Sequence, residues 1–485
     1  MTAAADLLFH PIAELARLLR ARRLSPVALV EASLDRLERL GRPLNAVVTL
    51  ADREALDEAR EAEKDLSRGR SRGPLHGIPY GAKDLLATRG MPTSWGAAPY
   101  RDQRIDEDAT VIRRLREAGA ILTAKLAMVE LAGGMGYNNA DASFTGPGLN
   151  PWNREHWSGG SSSGPGSAVA AGLVSFAIGS ETVGSILTPS AYCGVTGLRP
   201  TYGRVSRHGA MALSWTLDKL GPLARSAEDC GTVLRAIEGP DPRDSTTVPV
   251  APFVRRPSGR RLRVGILRGA TDFIQEEVAR NFKEAVAILE RFSDVTPDVV
   301  LPDFPYGLCT GTIVAAEGAS AFLELIEGGR LKELKAKADR VGGYSNAMVP
   351  AVDYLQAMRL REKMRPPVAA LFDRYDVLAA PTRDTVANPI ALDFDKSFPE
   401  LARDRPQTFV SPIGGLIQAG NLLGYPALSL PDGFGQKGLP TGVQLLAAPF
   451  REDALIALGS EYQRRTGFHT RRPPEGGGAG PGVAS

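Results

Sequence analysis

The stretch Gly159 to Ser185, GGSSSGPGSAVAAGLVSFAIGSETVGS, restricts what this chain can fold into more than any other. Gly159–Gly166 reads as a polar, flexible loop. Ser167–Gly172 is almost wholly small residues, which fits a tightly buried helix starting a few positions earlier. Val174, Phe176 and Ile178 alternate as a strand does, and Ser180–Ser185 is a second polar loop. In such a unit the helix runs away from the first loop and the strand runs back. About ten helical residues span roughly 15 Å, and five or six strand residues span about the same. The two loops therefore meet beyond the carboxyl end of the strand, where open α/β sheets place their active sites. Ser161 and Ser185, 24 positions apart, become neighbours, with a helix N-terminus that favours developing negative charge. Serine and glycine also make plain surface loops. That reading weakens where two such loops are joined by a buried unit.

Composition excludes several other roles. With 485 residues, 43% of them hydrophobic and 23% charged, there is material for a large core. A net charge of +3, with no basic stripe interleaved with aromatics, leaves nucleic acid without an electrostatic footprint. Cys193, Cys230 and Cys309 lie far apart and form no CxxC pair, which argues against a disulfide framework or a zinc knuckle. Met1–Arg23 alternates short apolar stretches with arginines and reads as an amphipathic helix rather than a signal peptide. No apolar run approaches the length of about 18 residues that a membrane span needs. The expectation is a cytoplasmic protein without metal, cofactor or membrane partner.

Helical periodicity runs through residues 10–65, and SRGRSRG (67–73) is a loop. This predicts N-terminal helices over 1–70 packed on a catalytic domain over 71–470. Within that domain Arg261–Leu267, Asp376–Ala380 and Gly442–Ala447 read as strands, and Gln275–Phe292 as a helix. The glycine-flanked segment 326–345 is a candidate mobile lid. The proline- and glycine-rich tail 471–485 is expected to be disordered.

A serine hydroxyl needs a base to become a nucleophile. The chain has five histidines, and its other candidate is Lys83, in the apolar, glycine-containing LHGIPYGAKDLL (75–86). Burial disfavours the ammonium and can leave a neutral amine that acts as a general base. Residue patterns alone do not bring Lys83 to the serines, and a lone lysine is more often a surface residue.

The ordered segments HGIPYGAKD, NPWN (150–153), GGSSSGPGSAVAAG, ETVGSILTPSAYCGVTGLRPTYGRVS and GLPTGVQLL resemble the amidase signature family. The likeness extends over about residues 10–466. It implies a single large α/β/α domain with a central twisted mixed sheet, and a Ser–Ser–Lys triad in place of Ser–His–Asp. The family's lysine falls on Lys83, its serine with a cis peptide on Ser161, and its nucleophile on Ser185. The resemblance further implies an oxyanion hole from the backbone of Thr182, Val183, Gly184 and Ser185. Ser162 is expected against Lys83 or the loop, and the Gly134-Met135-Gly136 turn against substrate. The implied partner is a small-molecule amide, ester or carbamate (urethane), the implied assembly a monomer or homodimer. Around the nucleophile the family has an aspartate, two glycines and an arginine, whereas this chain has Glu181, Val183 and Leu187. Valine reaches positive φ less freely than glycine, so an altered oxyanion hole or acyl pocket is expected, and Leu187 removes a charge.

Competing patterns exist. GSSSG (160–164) fits a nucleophile elbow centred on Ser162, with His469 as base and Asp376 as its partner. A phosphate-binding loop would lack the GK[ST] that completes it. Cys193 sits in an apolar setting that suits an inert thiol. Within the family, the rival is the glutamine-hydrolysing subunit of a tRNA-dependent amidotransferase, which needs charged groups to hold a free amino acid. SPIGGLIQAGNLLGY (411–425) carries no acid. An apolar pocket and a stand-alone hydrolase of aryl or alkyl amides are therefore expected.

Overall fold

Short apolar runs punctuated by glycine and proline become the strands of the computed structural model, which describes residues 4–254, 260–406 and 411–475. In chain order these are β1 (Val47–Leu50), β2 (Pro79–Lys83), β3 (Ile121–Leu126), β4 (Leu149–Asn150), β5 (Asn153–Trp157), β6 (Phe176–Glu181) and β7 (Thr196–Arg199). They continue with β8 (Lys219–Ala224), β9 (Arg263–Leu267), β10 (Asp294–Val299), β11 (Val377–Pro381), β12 (Ala427–Phe434) and β13 (Pro440–Ala447). Eleven of them form one mixed sheet in the order β1-β3-β2-β6-β8-β7-β12-β13-β11-β9-β10, while β4 and β5 pair separately. Strands β3, β2 and β6 are mutually parallel, as are β11, β9 and β10, and antiparallel pairs fill the centre. This is the large α/β domain with a central mixed sheet that the sequence implies.

Both faces of the sheet are covered. Phe176 and Ile178 belong to the main apolar core, whereas the intervening Ala177 packs with Ala168–Ala171, Val195 and Leu223 in a second one. Successive strand residues point to opposite faces, so β6 is buried at every position. Strands buried on both sides carry continuous apolar runs rather than clean alternation. For that reason the strand predicted from Val174 in fact starts at Phe176 and continues to Glu181, and Ser180 lies on it. The small-residue helix runs from Ser163 to Ala170.

The N-terminal segment is less purely helical than its periodicity predicts. Helices Ile12–Arg20, Pro26–Arg36 and Asp52–Ser67 form, but β1 intervenes and pairs with β3 at the sheet edge. Of the tail, Arg471 and Arg472 are tied down, the first through its carbonyl to Arg225 and the second to Asp6. Residues 476–485 lie outside the described residues. No described helix is long and apolar enough to cross a membrane.

The segment read as a lid overlaps helices Leu323–Glu327 and Asp339–Asn346 and contains the short helix Arg330–Glu333. The Glu130 carboxylate accepts from the backbone N–H groups of Lys335 and Ala336, each at 2.8 Å. Gly342 lies so close to the Met135 carbonyl that a Cβ there would sit 1.6 Å from its oxygen. Asp339 is fully buried, and burial together with the Glu130 carboxylate raises its carboxyl well above the ordinary value of 3.8. A raised carboxyl stabilises the fold fully below its unfolded pKa, and that contribution is lost as pH climbs toward the folded one. Asp339→Asn cannot ionise. It is expected to flatten the decline of melting temperature between about pH 4 and pH 9, and a slope equal to that of the parent would refute the pairing.

Candidate active site

Lys83 is the last residue of β2, and β2 runs parallel to β6 with Ala82 opposite Ile178. Their carboxyl ends therefore open side by side onto the loop that carries Ser185. Lys83 is fully buried, and its Nζ donates to Ser161 Oγ at 2.8 Å and to Ser180 Oγ at 2.9 Å. Burial pushes its pKa down to about 7, against the opposing pull of the Asp218 and Glu181 carboxylates. The Gly160–Ser161 peptide is cis. Ser162 N–H donates to the Ser185 carbonyl at 3.3 Å, which ties the two serine loops together. The Ser162 hydroxyl donates to the Ser180 carbonyl at 3.2 Å rather than contacting Lys83. Ser180, which sequence reasoning passed over as loop, is the second partner of the lysine. Its signal is its position at the end of a strand adjacent to β2.

The backbone N–H groups of Thr182, Val183, Gly184 and Ser185 donate to no described residue. Gly184 takes the positive φ, +83°, while Val183 stays outside that region. The valine is thus accommodated without backbone strain, and its side chain lines a cavity instead. Glu181 holds the turn in place. One of its oxygens accepts from Ile186 N–H at 2.8 Å and Leu187 N–H at 3.0 Å, and the other pairs with Arg199 at 2.8 Å and Asn421 at 2.9 Å. Burial opposes its ionisation, but Arg199, Lys219 and these hydrogen bonds bring its carboxyl below the ordinary range. Glu181 and Arg199 are both fully buried. Glu181→Gln would leave Arg199 uncompensated, so a loss of about 3–5 kcal/mol in unfolding free energy is expected. A loss under about 1 kcal/mol in denaturant titration would remove Glu181 from this role.

Ser185 lines a cavity of about 610 Å³ together with Gly160 and Val183. This lies within the roughly 300–1,000 Å³ range of small-molecule pockets. Tyr137, Trp157, Tyr192, Phe394 and Phe398 supply aromatic walls, with Trp157 and Phe394 stacked at 4.7 Å. Arg383, Asp384, Asp395 and Arg405 also line it. The pocket is therefore not the apolar one expected from residues 411–425. Its charges come from 383–405, and the helix Pro412–Leu423 does not line it. The Gly134-Met135-Gly136 turn does not line it either. Met135 is buried, and the Gly134 carbonyl accepts from Asn346 at 3.0 Å.

The competing patterns do not come together. Asp376 is held by Arg260 and Arg263, and the His469 carbonyl accepts from Arg225. Ser162 is fully buried and bonded to the strand end. The Cys193 thiol donates to the Ser158 carbonyl, and burial raises its pKa strongly.

The family pattern described as Amidase matches residues 28–456. The chain belongs to the amidase family. Its sequence is 37% identical to a glutamyl-tRNA(Gln) amidotransferase subunit of Moorella thermoacetica, over 96% of this chain and 98% of the relative. Among solved structures it resembles the native peptide amidase of Stenotrophomonas maltophilia, with a TM-score of 0.81 and 32% identity over 96% of this chain and 98% of that one. It also resembles a chain from a vestigial protein complex that bears on the evolutionary origins of an s-triazine catabolic enzyme. There the TM-score is 0.86, with 30% identity over 96% of this chain and all of the other. As an amidase-family member the chain is a hydrolase of carbon–nitrogen bonds.

Proposed function

We propose that the chain hydrolyses a small-molecule carboxamide through a Ser185 acyl-enzyme, with Ser161 and Lys83 relaying the proton. The observation that carries this reading is the 2.8 Å hydrogen bond from buried Lys83 to Ser161 Oγ, beside the loop of Ser185. Neutral Lys83 takes the proton of Ser161, which takes that of Ser185 as its oxygen attacks the acyl carbon. The unclaimed N–H groups of Thr182, Val183, Gly184 and Ser185 hold the oxyanion, and such donors are worth about 3 kcal/mol each. Ser161 returns a proton to the leaving nitrogen, the C–N bond breaks, and water then releases the acid. The same acyl chemistry extends to esters and carbamates. The test is ammonia or amine release from aliphatic amides, arylamides, carbamates and glutamine, with ester cleavage measured alongside. Release from no amide would overturn the reading.

A second reading follows from the Moorella thermoacetica relative, which matches over nearly its full length. Under it the amide is that of glutamine, and the ammonia passes to a tRNA-bound acceptor with the help of protein partners. The charged cavity supports this reading better than residues 411–425 do. Glutamine hydrolysis stimulated by protein partners, ATP and misacylated tRNA would establish it over the first. Hydrolysis of simple amides without any of these favours the stand-alone enzyme.

A further inference from the structure

Resting on the reading that Ser185 is the nucleophile, we propose that the substrate is a carboxamide that also bears a carboxylate, and that Arg383 takes that carboxylate. Arg383 follows the end of β11 and lines the same cavity as Ser185. It is a half-buried cation whose Nε is inaccessible to solvent and without a hydrogen-bond partner. Its neighbours are the Tyr192 phenol, the Asp384 carboxylate and the Tyr137 phenol. Tyr192 is itself committed to Asn388 at 3.1 Å and lies 3.3 Å from the Thr385 hydroxyl.

The cavity carboxylates make their direct contacts elsewhere, although Asp384 also acts on Arg383 from nearby. Asp384 pairs with Arg405 at 3.4 Å, and Asp395 is exposed and accepts from Asn138 at 3.3 Å. Among the described residues none forms an ion pair with Arg383. The Tyr192 phenol and the Asp384 carboxylate already favour the cation, but no carboxylate among the described residues pairs with it directly, and a ligand carboxylate supplies that pairing. A guanidinium stays protonated at every working pH and presents a planar fork that matches a carboxylate. The aromatic walls lower the local dielectric, which strengthens the pair. They also suit the methylene stem between the two ends of such a substrate. Ser185, which takes the reacting amide, and Arg383 thus face one cavity that a single bifunctional substrate can fill.

The test uses the full-length Ser185→Ala protein, so that substrates bind without turnover. Succinamate, glutaramate and adipamate are titrated by calorimetry against their uncharged counterparts butyramide, pentanamide and hexanamide. The expected result is at least tenfold tighter binding for one anionic amide than for its neutral partner, with the best chain length reporting the spacing from Ser185 to Arg383. Adding Arg383→Gln is expected to reduce that preference below threefold, while Arg383→Lys keeps part of it. Equal binding of charged and neutral amides overturns the proposal. So does a preference that survives in Arg383→Gln, or the absence of measurable binding by any of the three anions. Thermal melting of each variant establishes that the fold is intact, and Arg383→Lys serves if Arg383→Gln does not fold. The nucleophile reading stands or falls separately, on Ser185-dependent ammonia release by the unmodified chain from any of these amides, charged or neutral.

Discussion

Replacing Ser185 with alanine is expected to lower ammonia release from an amide substrate by about 10⁵–10⁶-fold, the scale of removing a hydrolase nucleophile. The substitution deletes one oxygen at a position that is 8% exposed and makes no side-chain hydrogen bond among the described residues. Melting temperature should therefore barely change, which separates lost chemistry from lost fold. The N–H groups of 182–185 and the cavity remain, so residual catalysis over water is expected to persist at a low level. Incubating the parent with an activated ester should add one acyl group to the peptide containing Ser185, as read by mass spectrometry. Substantial amide hydrolysis by Ser185→Ala, or acylation at another residue, would refute the mechanism.

The second large effect belongs to Lys83. Lys83→Ala is expected to lose about 10²–10⁴-fold on amides, the usual worth of a positioned general base and acid. The loss on activated esters should be much smaller, because an amide nitrogen must be protonated to leave and a good alkoxide or phenoxide need not be. Its pH behaviour has a definite sign. Burial holds the folded pKa near 7, so the amine form that accepts a proton grows in as pH rises through that value. In the parent, kcat/KM on an amide should climb through about pH 7 and level off above it. A profile flat from about pH 5 to pH 9, or equal losses on amides and esters, would argue against the lysine relay.

How far these elements could be read beforehand depends on the kind of contact each involves. The return of the second serine loop to the first followed from residue periods, since a short helix and a short strand cover similar lengths. The position of Lys83 did not, because it depends on strand order. β2 lies next to β6 although Lys83 and Ser180 are 97 residues apart in sequence. Sequence periodicity carries no information about such non-local pairing, and for Lys83 only the resemblance supplied it. The edge strand β1 was lost for a related reason, being four residues long between two strongly periodic helices. Glu181 appeared only as a departure from the family, and its role emerges from four partners drawn from residues 186, 187, 199 and 421. The cavity wall misled most. The absence of acids in 411–425 is real, but the charges that line the cavity arrive from 383–405.

That division between β2–β6 and the β11 end of the sheet has an evolutionary consequence. The groups that would move protons lie within residues 83–185, whereas much of the remaining cavity lining is encoded about two hundred residues downstream. Drift in the later segment can retune what is recognised without disturbing the earlier one. A family built on this plan can diversify its diet while its reaction stays fixed. Exchanging residues 382–406 between relatives is then the shortest genetic route to a new preference.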